Sequence, residues 1–179
     1  MPYAQDYYSH LDAPRTDAPS ERDCGHNASR RACEADDVDV TIHRLRIGDE
    51  RRLQELCRRF KERVPSDEEA AAFLARDNIY VWVADVDGEL AGFAYAYVLL
   101  RIDGDTSVFL YELAVEERFR CRGVGRALVD QARELAERTG ALKMWVGTSY
   151  DNEAARRTYA AAGGEPSREA TLVYGWRFR

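Results

Sequence analysis

Apolar and polar residues alternate through Val38, Val40 and Ile42 and on toward Leu45, the two-residue period of a strand with one buried face. The period then lengthens. Leu53, Leu56, Cys57 and Phe60 recur at helical spacing, which predicts a helix over residues 49–60. Ser66-Asp67-Glu68-Glu69 after Pro65 predicts a second helix, with Ser66 as N-cap and Glu69 closing a capping box. Two apolar runs, 79–86 and 90–100, flank Asp87-Gly88 and predict a β-hairpin. Asp103-Gly104-Asp105 turns the chain into another strand, 107–115. Val124, Leu128, Ala132 and Leu135 mark one helix face that ends near Gly140. A strand over 142–148, a helix over 152–162 closed by Gly163-Gly164, and an aromatic strand over 171–178 complete the pattern. The expected class is α+β, with a mixed sheet.

Composition places limits on this plan. Within 179 residues, 26 Lys and Arg face 32 Asp and Glu, a net charge of -6, and 45% of residues are hydrophobic. An acidic chain of this kind lacks the basic balance of a general nucleic-acid binder. The longest apolar stretch, 90–100, is about half the ~20 residues that cross a bilayer. The first residues carry neither the basic nor the apolar region of a secretory signal, and four cysteines at irregular spacing do not build a disulfide scaffold, so a cytoplasmic location is expected. Residues 1–38 hold eight acids and four bases, three prolines and no periodic apolar face, and are expected to be a disordered acidic tail. The domain is expected over 39–179, with 24 acids against 22 bases. A metal site from Cys24, His26, Cys33 and His43 matches no common zinc spacing, and no metal is expected.

The chemistry concentrates in Tyr111-Glu112-Leu113-Ala114-Val115 and, five residues later, Arg120-Cys121-Arg122-Gly123-Val124-Gly125-Arg126-Ala127-Leu128. Glycines at the entry to a helix let the backbone approach an anion without Cβ obstruction. The first N–H groups of the helix and its dipole then face that anion, and Arg120, Arg122 and Arg126 add cations. Taken alone, the pattern also fits a tight strand-to-helix turn that needs glycine. It is not GxGxxG, and no Lys-Ser/Thr of a P-loop follows. The order of parts adds specificity: hairpin, strand ending Leu-Ala-Val, glycine loop and helix, strand, then Asn152-x-x-Ala155-x-x-x-Tyr159.

In this order the stretch 39–179 resembles the GNAT superfamily of acetyl-CoA-dependent N-acetyltransferases. Ala96-Tyr97-Val98-Leu99, Tyr111 through Val115, and Tyr150 through Tyr159 look most like type I aminoglycoside 3-N-acetyltransferases. Those enzymes carry Asp where this chain has Glu112, and an Asp-Asp pair where it has Asn152-Glu153. The resemblance implies a central, mostly antiparallel sheet of about six to seven strands flanked by four helices. It implies acetyl-CoA as cosubstrate, held by Leu113, Ala114, Val115, Arg120, Arg122, Gly123, Val124, Gly125, Arg126, Ala127 and Asn152. It implies direct transfer to a small cationic amine held near Glu112, Tyr150, Asp151 and Glu153, with a homodimer as one assembly.

Acetyl transfer to an amine defines two proton tasks. An alkylammonium of pKa about 10 must lose its proton, and the leaving thiolate must gain one. Glu112 is the candidate base or substrate anchor, the other reading being a simple ion pair with a neighbouring Arg. Tyr159 holds the family position of the acid, the other reading being a tyrosine packed in the core. Cys121, in the loop, has no adjacent base to make it a nucleophile. Trp82, Trp145 and Trp176 are expected in the core rather than stacked on a ligand, and Arg51-Arg52 and Arg58-Arg59 on a solvated helix face or at most a rim. Acetylation of a polyamine, a protein N-terminus or a lysine is the alternative enzyme reading; a non-catalytic acyl-CoA sensor is the alternative outside enzymes.

Overall fold

The structure, a computed structural model, describes residues 39–167. The predicted tail and the predicted last strand, 171–178, lie outside the described residues, and those over 39–165 form part of one compact unit. The elements run β1 (Val40–Leu45), α1 (Glu50–Phe60), α2 (Asp67–Leu74), β2 (Ile79–Val86), β3 (Glu89–Leu100), β4 (Thr106–Val115), a 3₁₀ turn (Glu117–Phe119), α3 (Val124–Arg138), β5 (Met144–Trp145) and α4 (Glu153–Ala161). The described residues form one five-stranded sheet in the order β1-β2-β3-β4-β5, antiparallel except for the parallel pair β4–β5. The α+β class with four helices is as expected, and the strand count is below the six to seven expected. No helix among the described residues is long and apolar enough to cross a membrane.

Alternation along the strands sorts side chains to two faces. Trp82, Ala84, Ala94, Ala96, Val108 and Leu110 pack under Val124, Leu128, Ala132 and Leu135 of α3. Val81, Val83, Leu90 and Phe93 pack under Leu53 and Leu56 of α1 and Ala70 of α2. The β2–β3 turn places Asp87 and Gly88 at φ 53° and 78°, the left-handed conformation the dipeptide favours. Gly92 is needed where β3 crosses β4, because a Cβ there would stand 2.7 Å from the Ala114 carbonyl oxygen.

The predicted capping box is present. Ser66 Oγ accepts from the Glu69 N–H at 3.2 Å, and the Ser66 N–H donates to Glu69 Oε2 at 2.8 Å. Ser66→Ala is expected to cost about 1 kcal/mol, the usual value of an N-cap, read as a lower urea midpoint with an unchanged m-value.

Two expectations are corrected here. Arg52 pairs with Asp85 on β2 and Arg59 with Glu116 after β4, so two of the four helix arginines tie α1 to the sheet. Trp82 is buried as expected, but Trp145 is 44% exposed. It stands at the end of a strand much shorter than the predicted 142–148, and stacks on Phe109 with centroids 4.0 Å apart.

Candidate active site

The end of β4 is irregular in a way that decides where its side chains point. Tyr95 pairs with Glu112 while Ala96 pairs with Leu110, so Tyr111 is an extra residue, a β-bulge. Upstream, Val108 and Leu110 face α3; downstream, Leu113 and Val115 face it. Two consecutive residues, Tyr111 and Glu112, therefore project from the face shared with α1. A bulge also increases local twist, and β5 pairs with β4 only at Val108–Met144 and Phe109–Trp145. The β5-side edge of Leu113, Ala114 and Val115 is thus left without a strand partner in β5.

Three elements converge on this edge. A Cβ built on Gly125, at the start of α3, would lie 3.1 Å from Thr158 Cγ2 of α4 and 3.7 Å from Val115 Cγ2 of β4. Glycine is what allows that approach. Gly123, the residue before α3, sits at φ 79° and caps the helix with no side-chain bond. The first helical bond runs from the Ala127 N–H to the Gly123 carbonyl at 2.9 Å. The N–H groups of Val124, Gly125 and Arg126 thus precede the helical ladder, as the anion-loop reading requires. Arg120 and Arg122 are exposed beside them; Arg120 donates to the Val115 carbonyl at 3.3 Å, and Arg126 lies 3.8 Å from Asp130.

On the α3 side of β4 stands Tyr159. Its ring packs against the core under α3, and burial pushes its phenol above the ordinary value. Its hydroxyl makes no hydrogen bond to the described residues, yet no fully buried polar side-chain atom there lacks a partner. The packed reading of Tyr159 describes the surroundings of its ring. Asn152 caps α4, its Oδ1 accepting from the Ala155 N–H at 3.1 Å.

On the α1 side stands Glu112. Both its oxygens are bonded by Lys61 Nζ, which follows α1. The neighbouring cation is a lysine, where the sequence reading had considered an arginine. Tyr150, Asp151 and Glu153 are exposed around the start of α4. Arg156 lies over the Tyr150 ring at 4.6 Å, and Arg157 is 3.5 Å from Glu153. The geometry thus brings together Val115, Gly125 and the α4 turn carrying Tyr159, sets Glu112 on the other face of the same strand, and leaves the α4 acids at the surface. Lys61, Thr158 and the bulge were not anticipated. Among the described residues no cluster could hold a metal ion; His43 faces Asp85 at 3.6 Å, and Cys24, His26 and Cys33 lie outside them.

A cleft of about 320 Å³ opens beside Lys61, between α1, α2 and the sheet, with Leu53, Leu56, Phe93 and Tyr95 in its lining. Burial, with Glu112, Tyr111 and Tyr97 nearby, also raises the Tyr95 phenol. Tyr95 and Tyr159 set an alkaline limit on stability. Their folded pKa values lie above the unfolded value near 10, so the contribution is complete below pH ~10 and is lost as pH rises through the folded values. Urea midpoints should fall as pH rises above about 10, and fall less in Tyr159→Phe.

The family model described as Acetyltransferase (GNAT) family matches residues 50–163. The L-2,4-diaminobutyric acid acetyltransferase of Nocardia farcinica is 34% identical over 79 residues, covering 44% of this chain and 40% of that protein. The matches span less than half the length of the curated relatives, 45% and 40%. An aminoglycoside acetyltransferase from an uncultured soil metagenomic sample, in complex with sisomicin, superposes with TM-score 0.68 at 22% identity, over 78% of this chain and 96% of that one. An aminoglycoside N-acetyltransferase of the 6′ type in complex with CoA superposes with TM-score 0.63 at 24% identity, over 78% and 96%. At those identities the superpositions establish the fold alone.

Proposed function

Because the chain belongs to the acetyltransferase (GNAT) family, we propose that it moves the acetyl group of acetyl-CoA directly to a primary amine of an aminoglycoside-like polycation. The observation that supports this reading most is the convergence at Gly125. There the end of β4, the start of α3 and the turn of α4 carrying Tyr159 meet along a strand edge that β5 leaves unpaired.

The residues present suit acetyl-CoA. The left-handed Gly123, the N–H groups of Val124, Gly125 and Arg126, and the cations Arg120, Arg122 and Arg126 would hold its pyrophosphate. When bound, acetyl-CoA supplies an activated acetyl group and a thiol leaving group. With acetyl-CoA bound, the backbone of Leu113–Val115 would supply fixed dipoles where negative charge develops. Glu112, on the α1 face, receives the acceptor's ammonium and takes its proton. Tyr159, on the α3 face, is a phenol whose pKa burial raises, and it would hold a proton for the leaving thiol once acetyl-CoA is bound. Acceptor and thiol are thereby handled from opposite sides of one strand. Tyr150, Asp151 and Glu153 form an outer rim to the acceptor side, and Asn152 positions α4.

The diaminobutyric acid acetyltransferase favours a second reading, a small diamine or polyamine acceptor. Thiol release from acetyl-CoA, measured with sisomicin, spermidine, 2,4-diaminobutyrate, and N-terminal and lysine peptides, separates the two. Turnover of sisomicin above the others is expected. Turnover confined to diamines or peptides replaces the polycation, and CoA binding without turnover of any amine makes the chain a sensor.

A further inference from the structure

Beyond the bulge, the α1-side face of the sheet carries a row of aromatic rings that begins at Tyr95, met by Phe73 of α2, and runs out to Tyr111 and Trp145 at the surface. Trp145 stacks on Phe109 at 4.0 Å and 15°. Phe109 meets Tyr111 edge-on at 5.5 Å, and Tyr111 meets Tyr97 at 5.6 Å and Tyr95 at 5.0 Å. Tyr111 is 51% exposed and Trp145 44%. Aromatic side chains of this size are usually buried, so two at the surface on either side of a shared neighbour, Phe109, mark a contact face. This row is continuous with the reaction centre, because the bulge sets Tyr111 and Glu112 side by side on one face. Its other end, Trp145, is the last residue of β5 to pair with β4, at the point where the two strands part.

We propose that this ledge, Tyr97, Phe109, Tyr111 and Trp145, is the surface on which the polycationic acceptor lies, and that Tyr111 and Trp145 determine its choice. Saturated sugar rings present C–H faces that pack on aromatic rings, and ammonium groups are attracted to the same faces. A rigid polycation laid along the ledge brings one amine to Glu112 while its other ammonium groups rest over π-faces. Such a surface recognises cations without accumulating carboxylates. That matches a site where Glu112 is already balanced by Lys61 and Glu153 by Arg157. The cleft beneath α1 fits such a ligand less well, since its lining is mostly apolar and its charged side chains are two cations, Lys61 and Arg63, against one acid, Glu69. The inference rests on the polycation reading above and adds to it the surface the acceptor lies on and the residues that select it.

The test compares Trp145→Ala, Trp145→Phe and Tyr111→Ala with the parent protein, using sisomicin and spermidine as acceptors. The alanine variants should raise the sisomicin KM about tenfold or more and leave the acetyl-CoA KM within about twofold, while Trp145→Phe, which keeps a π-face, stays near the parent. Calorimetric titration of sisomicin into the CoA-bound protein should show the same order without turnover. Unchanged sisomicin binding in folded Trp145→Ala and Tyr111→Ala, with acetylation intact, overturns the ledge and leaves the enzyme reading standing. Absence of acetylation of every amine overturns the reading beneath it. Sedimentation of Trp145→Ala covers the remaining case: a dimer that dissociates with sisomicin KM unchanged makes the ledge an interface between copies and overturns the proposal.

Discussion

Tyr159→Phe is expected to lower kcat about 10²-fold or more while leaving CoA affinity within about twofold. Removing a general acid typically forfeits 10²- to 10⁴-fold in rate. The substitution is clean here because the ring does the packing and the hydroxyl does not. The ring lies against the core under α3 and stays there as Phe, and the hydroxyl it loses bonds to none of the described residues. Folding stability at neutral pH should therefore hold, and the ligand-induced rise in melting temperature with CoA should be retained. The rate–pH profile adds a second reading. Since burial raises this phenol, the alkaline limb of the parent enzyme should lie above pH 10 wherever Tyr159 sets it. An unchanged kcat would leave Tyr159 with the packing role alone.

Glu112→Gln is expected to lower kcat/KM for the amine about 10²-fold near pH 7, with the gap narrowing toward pH 10. An alkylammonium is mostly protonated at neutral pH and increasingly neutral as pH approaches 10, so the base matters most where the proton is hardest to remove. Lys61 supplies the control. Its ammonium occupies the carboxylate that the acceptor's ammonium must reach, so Lys61→Gln should lower the acceptor KM or leave it unchanged. The Glu112→Gln/Lys61→Gln double variant then separates chemistry from the cost of an unpaired, partly buried charge. Equal loss in Glu112→Gln at all pH values would assign the carboxylate to anchoring.

Local chemistry made most of the scaffold legible. The helical spacing of Val124, Leu128, Ala132 and Leu135, the Ser66 capping box and the Asp87-Gly88 turn each specify their element within a few residues, and each is found. The glycine loop was legible for the same reason, as backbone conformation is written into single residues. What escaped depends on distant partners. Lys61 and Glu112 are 51 positions apart, and nothing near Lys61 signals a carboxylate. The length of β5 depends on how far β4 turns away, so its apolar sequence overstates the strand and its Trp145 is exposed where a core position was expected. The bulge did leave a trace. Apolar residues facing α3 fall at even positions, Val108 and Leu110, and then at odd ones, Leu113 and Val115. That change of parity inside an uninterrupted strand is the signature of one residue too many.

That surplus residue gives β4 something akin to spare length. Excising Tyr111 would restore strict alternation, with Leu110, Leu113 and Val115 still facing α3, so the sheet itself has no need of it. What excision would remove is the local twist that carries β4 away from β5, and a zipped strand pair would close over the edge where the reaction is proposed. The gap where the reaction is proposed thus depends on a single residue that the sheet's alternation could do without.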